Sequence, residues 1–229
     1  MVIKADDLKE LIKQIFIKYG LSEEDSIIAS NCLVLAEMVG ISTHGVEMVP
    51  AHINKCLNGY NTHACLKILN ESDSFTLCDA DNAIGMVSAW KCTDLAISKA
   101  NKNGVHIVFC NNANTFSAAY SYVLHAVNNK KIAIVISNAP AQMAPLGGKD
   151  KLLGTNPLAI GVPAHFETPF ILDMATSAVA KSKINQAVKD GLTSIPFGWA
   201  TDQNGNPTDD PKEALKGLVL PMAGAKGYG

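Results

Sequence analysis

The sequence has no C-x-x-C pair, no H-E-x-x-H and no cluster of histidines with carboxylates, so nothing in it argues for a bound metal. Its six cysteines, Cys32, Cys56, Cys65, Cys78, Cys92 and Cys110, all fall in the first half. In a chain this long they read as reduced, mostly buried thiols of a cytosolic protein, not as a disulfide framework. Charge of one sign is also missing. With 19 Lys+Arg against 21 Asp+Glu the net charge is -2, and the clustered cations that neutralise nucleic-acid phosphates are absent. The longest β-like apolar run, "IAIVI" at 132–136, is too short to span a bilayer. The start, "MVIKADDLKE", lacks the apolar stretch of a signal peptide. These absences predict no nucleic-acid partner, no membrane and a cytoplasmic location. Two nucleotide fingerprints are missing as well. No G-x-G-x-x-G follows a strand and opens a helix, and Gly148-Lys149 is followed by Asp150 with no glycine five residues before Gly148.

What is present is a folded composition: 229 residues, 48% hydrophobic and 17% charged. Leu8, Leu11, Ile12, Ile15, Phe16 and Tyr19 recur at helical spacing, with Gly20 as a stop. Ser22 followed by Asp25 resembles a capping box for a second helix carrying Ile27, Ile28, Cys32, Leu35 and Ala36, which runs out at Gly40. "VEMVPAHINKCLNG" predicts a third, with Pro50 in its first turn. From about residue 66 strands alternate with helices. "SFTLCDA", "VHIVFC", "KIAIVIS", "LAIGVP" and "PFILDM" read as strands, and "MVSAWKCTDLAISKA", "FSAAYSYVLHAV" and "SAVAKSKINQAVKD" as helices. The stretch 191–211, rich in Gly, Pro, Asn and Asp, reads as a long irregular loop of the kind that often carries function. The fold class this predicts is α/β or mixed-sheet behind a helical N-terminal region.

Several short segments carry chemistry in principle. His44, in "STHG", lies in the loop after the second helix, where a histidine is either a turn residue or a proton carrier. Gly/Pro-rich stretches after strands, "SNAPAQMAPLGG", "LLGTNPLA", "DMATS" and "PMAGAKGYG", let a phosphate approach the backbone closely. In "DMATS", Asp173 ends a strand and Thr176 or Ser177 is placed to cap the next helix. Asn156, before Pro157, is equally a turn residue or an amide donor to a ligand.

Taken in order, "STHG", "LLGTNPLAIGVP", "FILDMATS", "IPFGWATDQNGNPTDDP" and "LPMAGAKGYG" resemble the malate/L-lactate dehydrogenase family, which includes ureidoglycolate, sulfolactate and diketogulonate dehydrogenases. The resemblance runs from the first helix to Gly229. It implies a non-Rossmann fold: a helical region, 1–65, beside a nicotinamide-binding domain, 66–229, with a mixed, largely antiparallel sheet. It implies a cytosolic homodimer that moves hydride between NAD or NADP and a small 2-hydroxy acid or its 2-oxo acid. Matched by segment, His44 would be the catalytic proton carrier and Thr43 would supply the motif's hydroxyl near the substrate. Asn156 would contact substrate or nicotinamide. Ser137, after a core strand, would contact the cofactor together with Asp173, Met174, Ala175 and Lys226. Such a reaction needs a group that accepts a proton from the alcohol and returns it to the carbonyl, which histidine does near neutrality.

Three departures from the family bear on activity. The arginine usual four residues after the motif histidine is Met48, which cannot pair with a carboxylate. The family's "N-x-x-H-F-G" is "NANTFS", with Thr115 for the histidine and Ser117 for the glycine. Relatives continue beyond "KGYG", so a domain incomplete at its C-terminus, with an unpaired sheet edge and uncovered apolar helix faces, is expected. Two alternatives therefore stand beside a working dehydrogenase. One is a degenerate relative that keeps at most dinucleotide binding. The other is an enzyme for a substrate without the usual carboxylate.

Overall fold

In the computed structural model, which describes residues 2–145, 147–165 and 167–228, the helical spacing at the start becomes α1, Ala5–Lys18. Ile12 and Phe16 are buried on its inner face, and Gly20 ends it at φ +98°, a backbone state open to glycine at little cost. Ser22 Oγ accepts from the Asp25 amide at 3.1 Å and opens α2, Glu23–Met38. Cys32 and Ala36 are fully buried as expected, together with Ala29, Leu33 and Val34, but Ile27 is not on the buried face. That face is set by what packs on it: α1 on one side, and two later helices on another.

After Gly40 come two 3₁₀ turns, Ser42–His44 and Val46–Met48, and then α3, Val49–Asn58. Pro50 falls in its first turn, where its missing N–H has no helical partner to lose. His52 on α3 is 2% exposed, with Nδ1 3.1 Å from the Tyr60 hydroxyl. Its Nε2 is buried without a hydrogen-bond partner among the described residues. Burial first, and Lys55 second, push its pKa down from 6.5 to about 4. The folded state therefore binds fewer protons than the unfolded chain between those values, so stability is full above pH 6.5 and falls as pH drops toward 4. The loss should reach about 3 kcal/mol at the bottom of that window. Urea midpoints across the window should fall less in His52→Phe than in the parent; equal slopes would assign the acid loss to other groups.

The first sheet has the order β1–β2–β3, with β1 Lys67–Glu71, β2 Phe75–Asp79 and β3 Ile107–Asn111. β1 and β2 are antiparallel. β2 and β3 are parallel, in the register Thr76↔Val108 and Cys78↔Cys110, and the parallel step is bridged by the long helix α4, Gly85–Asn103. Asp81 and Asn82 turn the chain between β2 and α4, both at positive φ. α5, Tyr120–Asn128, packs on α4 and α2 through Tyr122 and Val123.

The remaining strands form three more small sheets. β4 (Ala133–Ile136), β7 (Pro157–Val162) and β8 (Phe170–Ala175) make one in the order β4–β7–β8. β5 (Ala141–Met143) pairs with β6 (Leu153–Gly154), and β9 (Ala200–Thr201) with β10 (Pro207–Thr208), both antiparallel. α6 spans Lys181–Lys189, α7 Pro211–Lys216 and α8 Ala225–Tyr228. The α/β class with mixed sheets thus holds, distributed over small sheets.

Four expectations are corrected. The 191–211 stretch is not wholly irregular, because Asp202 accepts from the amides of Asn204 and Asn206 and turns the β9–β10 hairpin. Ser137 does not follow a core strand, because Ile134 and Ile136 on β4 are 66% and 72% exposed, and Ile132 just before it 69%. Thr176 and Ser177 cap no helix: α6 begins four residues later, with Ala180 at its N-cap and no side-chain cap bond. The cysteines are all free, but only Cys32 and Cys78 are buried, while Cys65 and Cys110 are exposed. Exposed apolar side chains on the first helices include Leu11 and Met38, with Val39 just past α2.

The chain divides into two compact units, Met1–Ala133 with Gly161–Ile171, and Ile134–Ile160 with Leu172–Gly229. The second has its own core around Met143, Ile184, Ala200, Ala214 and Val219, with Trp199 packed against it.

Candidate active site

In the first unit, the 3₁₀ turn that carries Thr43 and His44 is closed by backbone bonds from His44 to Ile41 and from Gly45 to Ser42, each 2.9 Å. Thr43 Oγ1 lies 3.1 Å from His44 Nδ1, so the hydroxyl fixes one side of the half-buried ring. Gly45 follows for a steric reason. A Cβ there would sit 2.6 Å from Glu37 Oε2, the carboxylate oxygen that accepts from the Val46 amide. Ser117 holds the other side of the turn by donating its hydroxyl to the His44 carbonyl. Ser117 has φ +65°, a conformation that favours the glycine usual in the resembled motif, and its hydrogen bond offsets a strain of about 1 kcal/mol. Nothing in its residue type announces this role; the departure from glycine was the available signal.

The loop before Ser117 is held by the turn that leads into α4 and by the first residue of that helix. Asn114 donates through Nδ2 to the Asn82 and Ala83 carbonyls, and a Cβ on Gly85 would lie 2.1 Å from the Asn114 carbonyl oxygen. Thr115, where the resemblance has a histidine, is exposed. Met48 closes the turn after His44 and is half-buried.

In the second unit, Asn156 Oδ1 accepts from the Ala139 amide at 2.9 Å. Its Nδ2 has no partner among the described residues, so the amide keeps two N–H groups to give. The Ser137 amide donates to the Pro157 carbonyl at 3.4 Å. Gly154 permits this closeness: a Cβ there would be 2.1 Å from the Ala139 carbonyl oxygen and 2.4 Å from Asn156 Oδ1. Thr176 donates its amide to the carbonyls of Thr155 and Asn156, so the end of β8, with half-buried Asp173, Met174 and Ala175, runs beside the Asn156 turn. The Met222 amide in turn donates to the Thr176 carbonyl. Lys226, four residues on, is exposed on α8 with no ion pair among the described residues. At α6, burial and then the neighbouring Lys151 lower the pKa of Lys181, whose ammonium donates to Gln142 Oε1 at 2.8 Å.

The predicted residues thus fall into two groups. Thr43 and His44 are together in the first unit; Ser137, Asn156, Asp173, Met174, Ala175 and Lys226 are threaded by one hydrogen-bonded set of segments in the second. The donor set of the second suits a dinucleotide: an exposed cation for phosphate, amide N–H groups for a carboxamide, and a carboxylate for hydroxyls.

The family model described as malate/L-lactate dehydrogenase matches residues 3–229. L-sulfolactate dehydrogenase of Methanocaldococcus jannaschii is 40% identical over 230 residues, spanning 100% of this chain and 66% of that protein. The solved structure of sulfolactate dehydrogenase from that organism superposes with a TM-score of 0.93, covering 100% of this chain and 66% of its own. The structure of malate dehydrogenase from Entamoeba histolytica is 30% identical with a TM-score of 0.93, again covering all of this chain and 67% of its own. The chain therefore spans about two thirds of the length of these relatives. Among the described residues no helix is long and apolar enough to cross a membrane.

Proposed function

The chain belongs to the malate/L-lactate dehydrogenase family, and on that premise we propose that it transfers hydride reversibly between a nicotinamide cofactor and a small 2-hydroxy acid and its 2-oxo acid. Relatives are named for NADP(+) and for NAD(+), and the proposal covers either. Asp173, Met174, Ala175, Ser137 and Lys226 would hold the cofactor, which when bound supplies or accepts the hydride. The observation that carries the reading is the turn at His44, clamped by Thr43 at Nδ1 and by Ser117 at its carbonyl. We assign proton exchange to the His44 ring: it takes the hydroxyl proton on oxidation and returns it to the carbonyl oxygen on reduction. The Asn156 Nδ2 group would donate to substrate or carboxamide. A cytoplasmic homodimer, with residues 1–65 as a helical region and 66–229 as the cofactor domain, belongs to the same proposal.

Met48 and Thr115 favour a second reading, in which dinucleotide binding persists without efficient turnover. Titration of the 229-residue protein with NADH and NADPH, following nicotinamide fluorescence, tests both. Saturable enhancement, followed by reduction of malate- or lactate-related 2-oxo acids, supports the dehydrogenase. Saturation without turnover supports the second reading. No binding by a protein folded by circular dichroism overturns both.

A further inference from the structure

Three of the six free thiols converge in the first unit, away from His44. Cys78 on β2 and Cys110 on β3 are direct partners in the parallel register, so their side chains leave the same face of the sheet about 5 Å apart. α4 packs on β3 and brings its Cys92 thiol beside those of Cys110 and Cys78. The three differ in access: Cys78 is buried, Cys92 half-buried and Cys110 exposed. Short side chains on two strands and a helix leave little freedom, so the backbone itself sets this meeting. Burial alone would account for Cys78 but not for an exposed thiol held against a shielded one.

We propose that Cys92 and Cys110 are a peroxide-responsive pair that closes to a disulfide. Cys110 is the attacking group. In its thiol form Cys110 Sγ donates to the Asn111 carbonyl at 3.7 Å; the adjacent Cys92 thiol favours the Cys110 thiolate and keeps its own proton. The Cys110 thiolate attacks one oxygen of a hydroperoxide; the O–O bond breaks, and the second oxygen leaves as water or an alcohol after taking a proton. Cys110 is then a sulfenic acid. The Cys92 sulfur attacks it; the S–S bond forms, the S–O bond breaks, and the hydroxyl leaves as water with the Cys92 proton. Two thiols have lost two electrons, and the peroxide has gained them. The product ties the middle of α4 to the edge strand β3.

Peptide mapping of the whole 229-residue protein tests this. It would be treated with hydrogen peroxide, alkylated, and digested without reduction. The expected result is one cross-linked pair containing Cys92 and Cys110, lighter by two hydrogens than its separate peptides and released by dithiothreitol. Cys110 should lose alkylation at least about tenfold faster than Cys65, which is also exposed. Cys110→Ser should remove the cross-link and the fast phase, and Cys92→Ser should leave a Cys110 sulfenic acid that dimedone traps. Equal reactivity of Cys65 and Cys110 in the parent protein, or a link through Cys78 instead of Cys92, overturns the proposal.

Discussion

His44→Gln should lower turnover of a 2-oxo acid by about 10² to 10⁴-fold, the range expected when a positioned proton donor is removed. Affinity for NADH should change by less than about twofold, because the residues assigned to the cofactor lie in other segments of the chain. Glutamine keeps the size of the ring and some hydrogen bonding to Thr43 but exchanges no proton near neutrality. Thr43→Val should cost less, because it releases the ring at Nδ1 without removing the carrier. Steady-state reduction followed by nicotinamide absorbance, alongside fluorescence titration, separates the two parameters. Full activity in His44→Gln would take the proton carrier away from this turn. A loss confined to cofactor affinity would do the same.

Gly154→Ala should destabilise the second unit by about 3 kcal/mol or more, at the severe end for a single added methyl. The new Cβ meets a carbonyl oxygen at 2.1 Å and the Asn156 amide oxygen at 2.4 Å, and neither can yield without opening the β5–β6 pair or breaking the Asn156–Ala139 bond. Cofactor binding should weaken with it, since both segments adjoin Ser137 and Asn156, which the proposal assigns to cofactor and substrate. Gly59→Ala is the comparison. Its nearest neighbour would be 3.6 Å away, an ordinary contact, and its urea midpoint should stay close to the parent's. Similar midpoints for the two variants would show that the turn relaxes around a methyl and that Gly154 is there for another reason.

The helices of the first half were legible because their signals are local. Ser22 caps where a capping residue should, Pro50 sits in a first turn, and Gly20 stops a helix in the conformation it tolerates best. β1 was not legible: all five of its residues are exposed, so no alternation marks it. The two-residue strands β9 and β10 are held by an Asp202 turn and by tertiary pairing of Ala200 with Val219, which no window of sequence contains. Of the candidate site, the motif residues could be named but not their supports. Glu37 reaches Val46 from nine residues away and Ser117 reaches His44 from 73, and such long-range bonds leave no local trace.

The order in which the chain leaves a ribosome matters for a molecule divided in this way. The first unit needs residues 161–171 as well as 1–133. Gly161 is pressed so closely on Val123 and Val127 that a Cβ would come within 2.8 Å of the Val127 side chain. A nascent chain that has released only the helical half therefore waits, with that surface of α5 bare, until a further stretch belonging to the other unit has been made. Slow translation across 134–160 would lengthen the wait, and a chaperone that shields apolar helix faces would be needed most in that interval.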